Sequence, residues 1–125
     1  MKKLILIIAL LLIASTAYAK HLHPEKYYQA EWCEEMKGQT EVILDDKTRV
    51  DCITETNAVE VDFAPKWAEA IGQALYYSAK TGKKAGVLII MENPVKDVKY
   101  VNRILKVINH YHLKMNVYLI FPEGR

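Results

Sequence analysis

The sequence predicts an α/β fold, a mixed β-sheet flanked by helices in the order α-β-β-β-α-β-α-β. Three observations predict it. Short runs of strand-like residues between Glu41 and Phe63 are separated by polar turns and read as three consecutive antiparallel strands. The run Gly86–Met91 (GVLIIM) is continuously apolar, the mark of a strand buried on both faces. Helix-spaced apolar stripes occupy the intervening stretches, so the strand–helix–strand connections of the second half should be right-handed and parallel.

In chain order, residues 1–19 read as an export signal. Lys2 and Lys3 form a basic start, Leu4–Ala14 is an apolar run of eleven, and Ala17-Tyr18-Ala19 is a small-x-small cleavage site. A spanning helix needs about 20 apolar residues, so the run is too short for a membrane anchor. Cleavage after Ala19 leaves 125 − 19 = 106 residues, Lys20–Arg125, a single domain without repeats or linkers in a secreted or periplasmic protein. His21 and His23 open it; a His-x-His pair can bind a transition metal, and a frayed terminus is the plainer reading.

Pro24 suits a helix start, and Glu25–Lys37 reads as that helix, stopped by Gly38. Tyr28, Trp32 and Met36 share one face. Glu35 sits at its edge and Glu34 points away, which makes Glu35 the better candidate for a partly buried acid. Glu41–Leu44 and Arg49–Thr54 form a hairpin around Asp45-Asp46-Lys47, and Glu55-Thr56-Asn57 turns into Ala58–Phe63. Pro65 opens a second helix to about Lys80, with Gly82 as its stop and Trp67, Ile71, Ala74, Leu75 and Ser78 as its core stripe. Pro94 starts a third helix to about Tyr111, with Val101, Ile104, Leu105 and Ile108 inward and Lys99, Arg103 and Lys106 outward. Asn116–Phe121 is the last strand.

The formal charge of +2 comes from the signal: without Lys2 and Lys3, 15 basic side chains balance 15 acidic ones. A neutral domain supplies no global argument for nucleic acid, which leaves only a local patch. Cys33 and Cys52 in an exported chain read as a disulfide pinning the first helix to the second strand and holding Glu35 near Asp51; two separate buried thiols are the other reading.

The densest chemistry lies between 49 and 77. Strand alternation points Glu60 and Asp62 one way and Val59, Val61 and Phe63 the other, while Asp51 stands on the neighbouring strand. Lys66, Gln73 and Tyr77 fall within about 40° on one flank of the second helix. Each has a plainer reading: Asp51 as a surface acid beside Arg49 or Lys47, Gln73 and Tyr77 as core-edge hydrogen-bonding groups, Lys66 as a solvated helix-start lysine. Glu60 beside Asp62 otherwise repels, so a cation would relieve a real cost.

This element order, with an acid on the second strand and Glu-x-Asp on the third, resembles the PD-(D/E)XK nuclease superfamily over essentially the whole exported domain. The resemblance implies that Asp51 and Glu60 bind magnesium. It is nearest to the branch with an acid on the first helix, matched by Glu35, and a Gln-x-x-x-Tyr motif, matched by Gln73 and Tyr77. The family's lysine two residues after the glutamate is replaced by Asp62, and the residue before the first aspartate is Val50 rather than proline.

Two or three carboxylates suffice for Mg2+ or Mn2+, and a cation can steer the nucleophile; Lys66 could supply that charge from the helix start. The resemblance therefore implies a secreted, metal-dependent phosphodiesterase acting on DNA, with Glu35, Asp51, Glu60 and Asp62 at the metal and Lys66, Gln73 and Tyr77 around it. The alternative is a catalytically degenerate module that keeps the scaffold to bind a protein or a metal.

Overall fold

The computed structural model describes residues 21–122, so the export signal expected at 1–19 and Lys20 lie outside the described residues. The elements are α1 (Glu25–Glu35), β1 (Gln39–Ile43), β2 (Arg49–Ile53), β3 (Asn57–Phe63), a 3-10 turn (Ala64–Lys66), α2 (Trp67–Thr81), β4 (Lys84–Ile90), α3 (Pro94–Tyr111) and β5 (Met115–Ile120). They build an α/β fold around a five-stranded mixed sheet in the order β1-β2-β3-β4-β5. β1, β2 and β3 pair antiparallel; β3–β4 and β4–β5 pair parallel. Among the described residues no helix is long and apolar enough to cross a membrane.

Alternation along the two central strands divides the core. Val59 and Val61 of β3, with Leu88 and Ile90 of β4, pack against Tyr28, Trp32 and Cys33 of α1. Val87 and Ile89 face the other way, onto Ala70, Ile71 and Ala74 of α2 and Val101 and Ile104 of α3. Six of the seven β4 residues are buried, as a strand covered on both faces requires.

Three expectations are corrected. The first helix ends at Glu35: Met36 caps it and is exposed, and Lys37, at φ 54°, takes the left-handed position expected of Gly38. Gly38 serves another purpose, since a Cβ there would lie 2.8 Å from Cys52 Sγ and 2.9 Å from Cys33 Sγ. Leu105 is 43% exposed, because the inner stripe of α3 centres on Asp97, Val101 and Ile104 and the next residue turns about 100° away. Gly82, at φ 73°, ends α2 as expected, its N–H donating to Ser78 O at 2.9 Å.

Cys33 and Cys52 form a disulfide with a Cα–Cα distance of 5.9 Å, joining α1 to β2. A bridge of this kind suits an oxidising compartment.

Candidate functional site

The site starts with an irregularity in β2. Strict alternation would put Val50 and Cys52 on one face, yet Cys52 packs under α1 while Val50 packs with Ala58 and Tyr77 on the α2 side. β2 also pairs with β3 only at Cys52↔Val59 and Ile53↔Ala58. Where the ladder stops, the Asp51 carboxylate takes over: Oδ2 accepts the Val61 N–H at 2.8 Å. The Asp51 carbonyl accepts Gln29 Nε2 at 2.8 Å, and the same Nε2 donates to Glu41 Oε1 at 3.1 Å. Arg49 Nε lies 2.9 Å from Glu41 Oε2, which completes the support on the β1 side.

Glu60 and Asp62 share the α2 side of β3 with Ala58, since the intervening Val59 and Val61 face α1. Both are more than nine-tenths buried, at 7% and 5% exposure, and among the described residues Glu60 Oε2 and Asp62 Oδ2 have no hydrogen-bond partner. Burial pushes the Glu60 carboxyl up to about 10, and the negative charges of Asp51 and Asp62 add to it. Burial likewise pushes Asp62 up to about 8, with Glu25 adding to it by charge and by accepting its proton in a hydrogen bond. Desolvation also raises Asp51 and Glu25, against the lowering effect of the neighbouring Glu60 and Asp62 carboxyls respectively. The site thus gathers two neighbouring carboxyl pairs, Asp51–Glu60 and Glu25–Asp62, in which burial favours the protonated form of Glu60 and Asp62.

The structure brings most of the expected residues together. Lys66 is exposed at the start of α2, and its charge acts favourably on Asp62 and Glu25. Tyr77 is buried at 7% exposure; burial first, then the charges of Glu60 and Asp51, raise its phenol. Gln73 is half-buried one turn before Tyr77.

Glu35 is not a partly buried acid. It is exposed and lines a groove of about 740 Å³ with His23, Tyr27, Glu31, Trp32 and Leu119. Glu25, the first residue of α1, is the helix acid at the carboxyl cluster, ten residues and about 15 Å along the axis from Glu35. The disulfide accordingly holds the Gln29–Glu25 side of α1 over β2. The signal was present in the spacing: Glu25, Gln29 and Cys33 step four apart, so a sheet-facing Cys33 carries the other two with it. Glu69, at the first turn of α2, also faces Asp62 and Glu25 and was not foreseen.

His21 is held rather than frayed. Its Nδ1 pairs with Glu92, its ring stacks on Phe63 at 3.7 Å, and Leu22 N–H donates to Glu92 Oε2 at 2.7 Å. His23 stacks separately on Tyr27 at 4.0 Å.

Among the described residues no three histidine, cysteine or carboxylate side chains are already gathered in a geometry that holds a metal ion. The donor set nevertheless fits a hard divalent cation: all the ligands are carboxyl oxygens, and two buried ones lack any partner. A cation would displace the protons that the two pairs share. Comparison with family models, curated proteins and solved structures finds no match to this chain.

Proposed function

We propose that the chain is an exported, metal-dependent phosphodiesterase of the PD-(D/E)XK type that acts on DNA. The observation that carries the reading is the pair of buried, partnerless oxygens, Glu60 Oε2 and Asp62 Oδ2, two residues apart on one strand face. Glu60 and Asp51 would hold Mg2+ or Mn2+, with Asp62 and Glu25 as further ligands; Glu25 takes the place first expected for Glu35. The cation, when bound, would polarise a phosphate and acidify a water. Within the chain, Gln29 and the Val61 N–H fix Asp51. Lys66 offsets negative charge beside Asp62, and Tyr77 keeps solvent from the Glu60 side. Export rests on the signal at residues 1–19 and on the disulfide.

A second reading has its own observation. Burial favours the protonated forms of Glu60 and Asp62, which lowers the charge of the cluster without a cation and suits a non-catalytic module that binds a protein or a metal. A plasmid-nicking assay with Mg2+ or Mn2+ separates the two. The enzyme reading expects wild-type nicking that Glu60→Ala abolishes; equal activity of the two proteins overturns it and leaves the non-catalytic module.

A further inference from the structure

The outward face of α3 carries a charge pattern that the carboxyl site does not explain. Lys96, Lys99, Arg103, Lys106 and His110 recur at intervals of three, four, three and four residues, and all five are exposed. At 100° per residue they fall within an arc of about 80°. The one acid of α3, Asp97, is buried and accepts the Asn93 N–H at 3.1 Å. Among the described residues no carboxylate pairs with any of these five side chains: the ion pairs all lie elsewhere, at His21, Lys26, Arg49 and Lys80. Like charges three and four apart repel along a helix, so the stripe lowers helix stability and calls for an anionic partner.

Its position matters as much as its charge. The Arg103 guanidinium lies 6.0 Å from the Trp67 ring centroid and 5.3 Å from that of Tyr100, and Lys99 Nζ lies 5.0 Å from the latter. Trp67 directly follows Lys66, whose charge acts on Asp62 and Glu25. Arg103, midway along the stripe, thus approaches the start of α2, where Lys66 acts on the carboxyl cluster. On the other side of the sheet, α1 exposes Glu31, Glu34 and Glu35 along with Lys26, so no comparable run of cations lies there.

We propose that the outer face of α3 is a phosphate-backbone track that leads nucleic acid to the carboxyl site. The identity of the ligand rests on the phosphodiesterase reading; the track itself stands on the stripe. From Lys96 to His110 the helix runs about 21 Å, room for roughly six phosphates of one strand at about 3.4 Å each. Cations flanked by Trp67 and Tyr100 suit a strand whose bases can stack. A bilayer fits less well, because of the exposed apolar residues only Val95 borders the cationic arc, while Val98 and Leu105 lie well away from it.

The test is fluorescence anisotropy of labelled single-stranded and duplex DNA, titrated in chelator over a range of salt so that binding is read apart from cleavage. The triple variant Lys96→Gln/Lys99→Gln/Lys106→Gln should make the slope of log K against log salt shallower by about two to three. It should weaken unrelated sequences equally and leave thermal stability unchanged or raised. Lys26→Gln on α1 should bind as wild type does. An unchanged salt slope in the triple variant overturns the track, as does loss of binding to phosphatidylglycerol vesicles in Val95→Ser/Val98→Ser with DNA affinity indifferent to the lysines. Glu60→Ala that binds DNA normally in a protein that never cleaves retains the track and removes the enzyme; cleavage with an unaltered slope does the reverse.

Discussion

The Asp51 carboxylate stands in for a strand: its Oδ2 accepts the Val61 N–H at 2.8 Å where the β2–β3 ladder has stopped. One side chain thus closes a gap in the sheet and faces Glu60. These two roles can be separated. Asp51→Ala leaves the buried Val61 amide without an acceptor and should cost about 1–3 kcal/mol in denaturant unfolding. Asp51→Asn keeps an acceptor in place and should unfold within about 0.5 kcal/mol of wild type, yet bind Mn2+ more weakly by calorimetry. Equal losses of stability in the two variants would show that the charge, not the hydrogen bond, holds the strands.

The carboxyl pairs predict an unusual pH dependence. Burial pushes Glu60 up to about 10 from an ordinary 4.5, and Asp62 up to about 8 from an ordinary 3.8. Between those values the native state holds protons that the unfolded state has released, so stability is greatest in mild acid and falls as pH rises. Each group's contribution is fully present below its ordinary carboxyl range and is lost as pH rises toward its raised folded value. Thermal melts in chelator should show this decline, and Glu60→Gln should flatten it. Mn2+ should raise the melting temperature at pH 8 far more than at pH 5, because ligation needs the deprotonated acids. A metal-free protein more stable at pH 8 than at pH 5 would contradict the pairing.

The disulfide encloses 19 residues of sequence separation and should contribute about 3 kcal/mol. Thiol titration of unfolded, unreduced protein should find no free thiol. Gly38→Ala places a Cβ 2.8 Å from both Cys52 Sγ and Ile53 O, and should cost about 1–3 kcal/mol through overpacking. In a Cys33→Ala/Cys52→Ala background part of that cost should vanish, while the clash with the Ile53 carbonyl persists. An undiminished cost would place the whole conflict at the carbonyl.

Most elements were legible because their signals are local: the apolar β4 run, proline at the start of α3, glycine at the end of α2. The disulfide followed from two cysteines in a chain whose first nineteen residues read as an export signal. What was missed depends on where elements meet. The first helix offers two faces, an aromatic one at Tyr28 and Trp32 and a narrower one at Glu25, Gln29 and Cys33; only the docking of Cys33 on β2 reveals that the second carries the acid. Alternation alone could not foresee the slip at Val50–Asp51, since the Val61 amide that compensates for it lies on another strand. Leu105 was misplaced because an apolar residue beside the core stripe was counted as part of it.

The last prediction concerns Asp62, which stands where the resemblance expects a lysine. Its carboxyl is buried, pushed up to about 8, and shares its proton with Glu25 while Glu69 adds further negative charge. A lysine there would find three carboxyls, of Glu25, Glu60 and Glu69, and one cation at Lys66. Asp62→Lys should therefore fold, melt higher than wild type at pH 8, and lose much of the pH decline described above, because an ammonium lowers its acidic neighbours. Lys66→Ala acts in the opposite sense: an exposed lysine contributes little stability, so the melt should move by less than about 0.5 kcal/mol, while plasmid nicking is lost if Lys66 supplies the displaced charge. Nicking that survives Lys66→Ala assigns that charge elsewhere. Nicking by Asp62→Lys but not by wild type identifies a scaffold that kept its acids and gave up its catalytic cation.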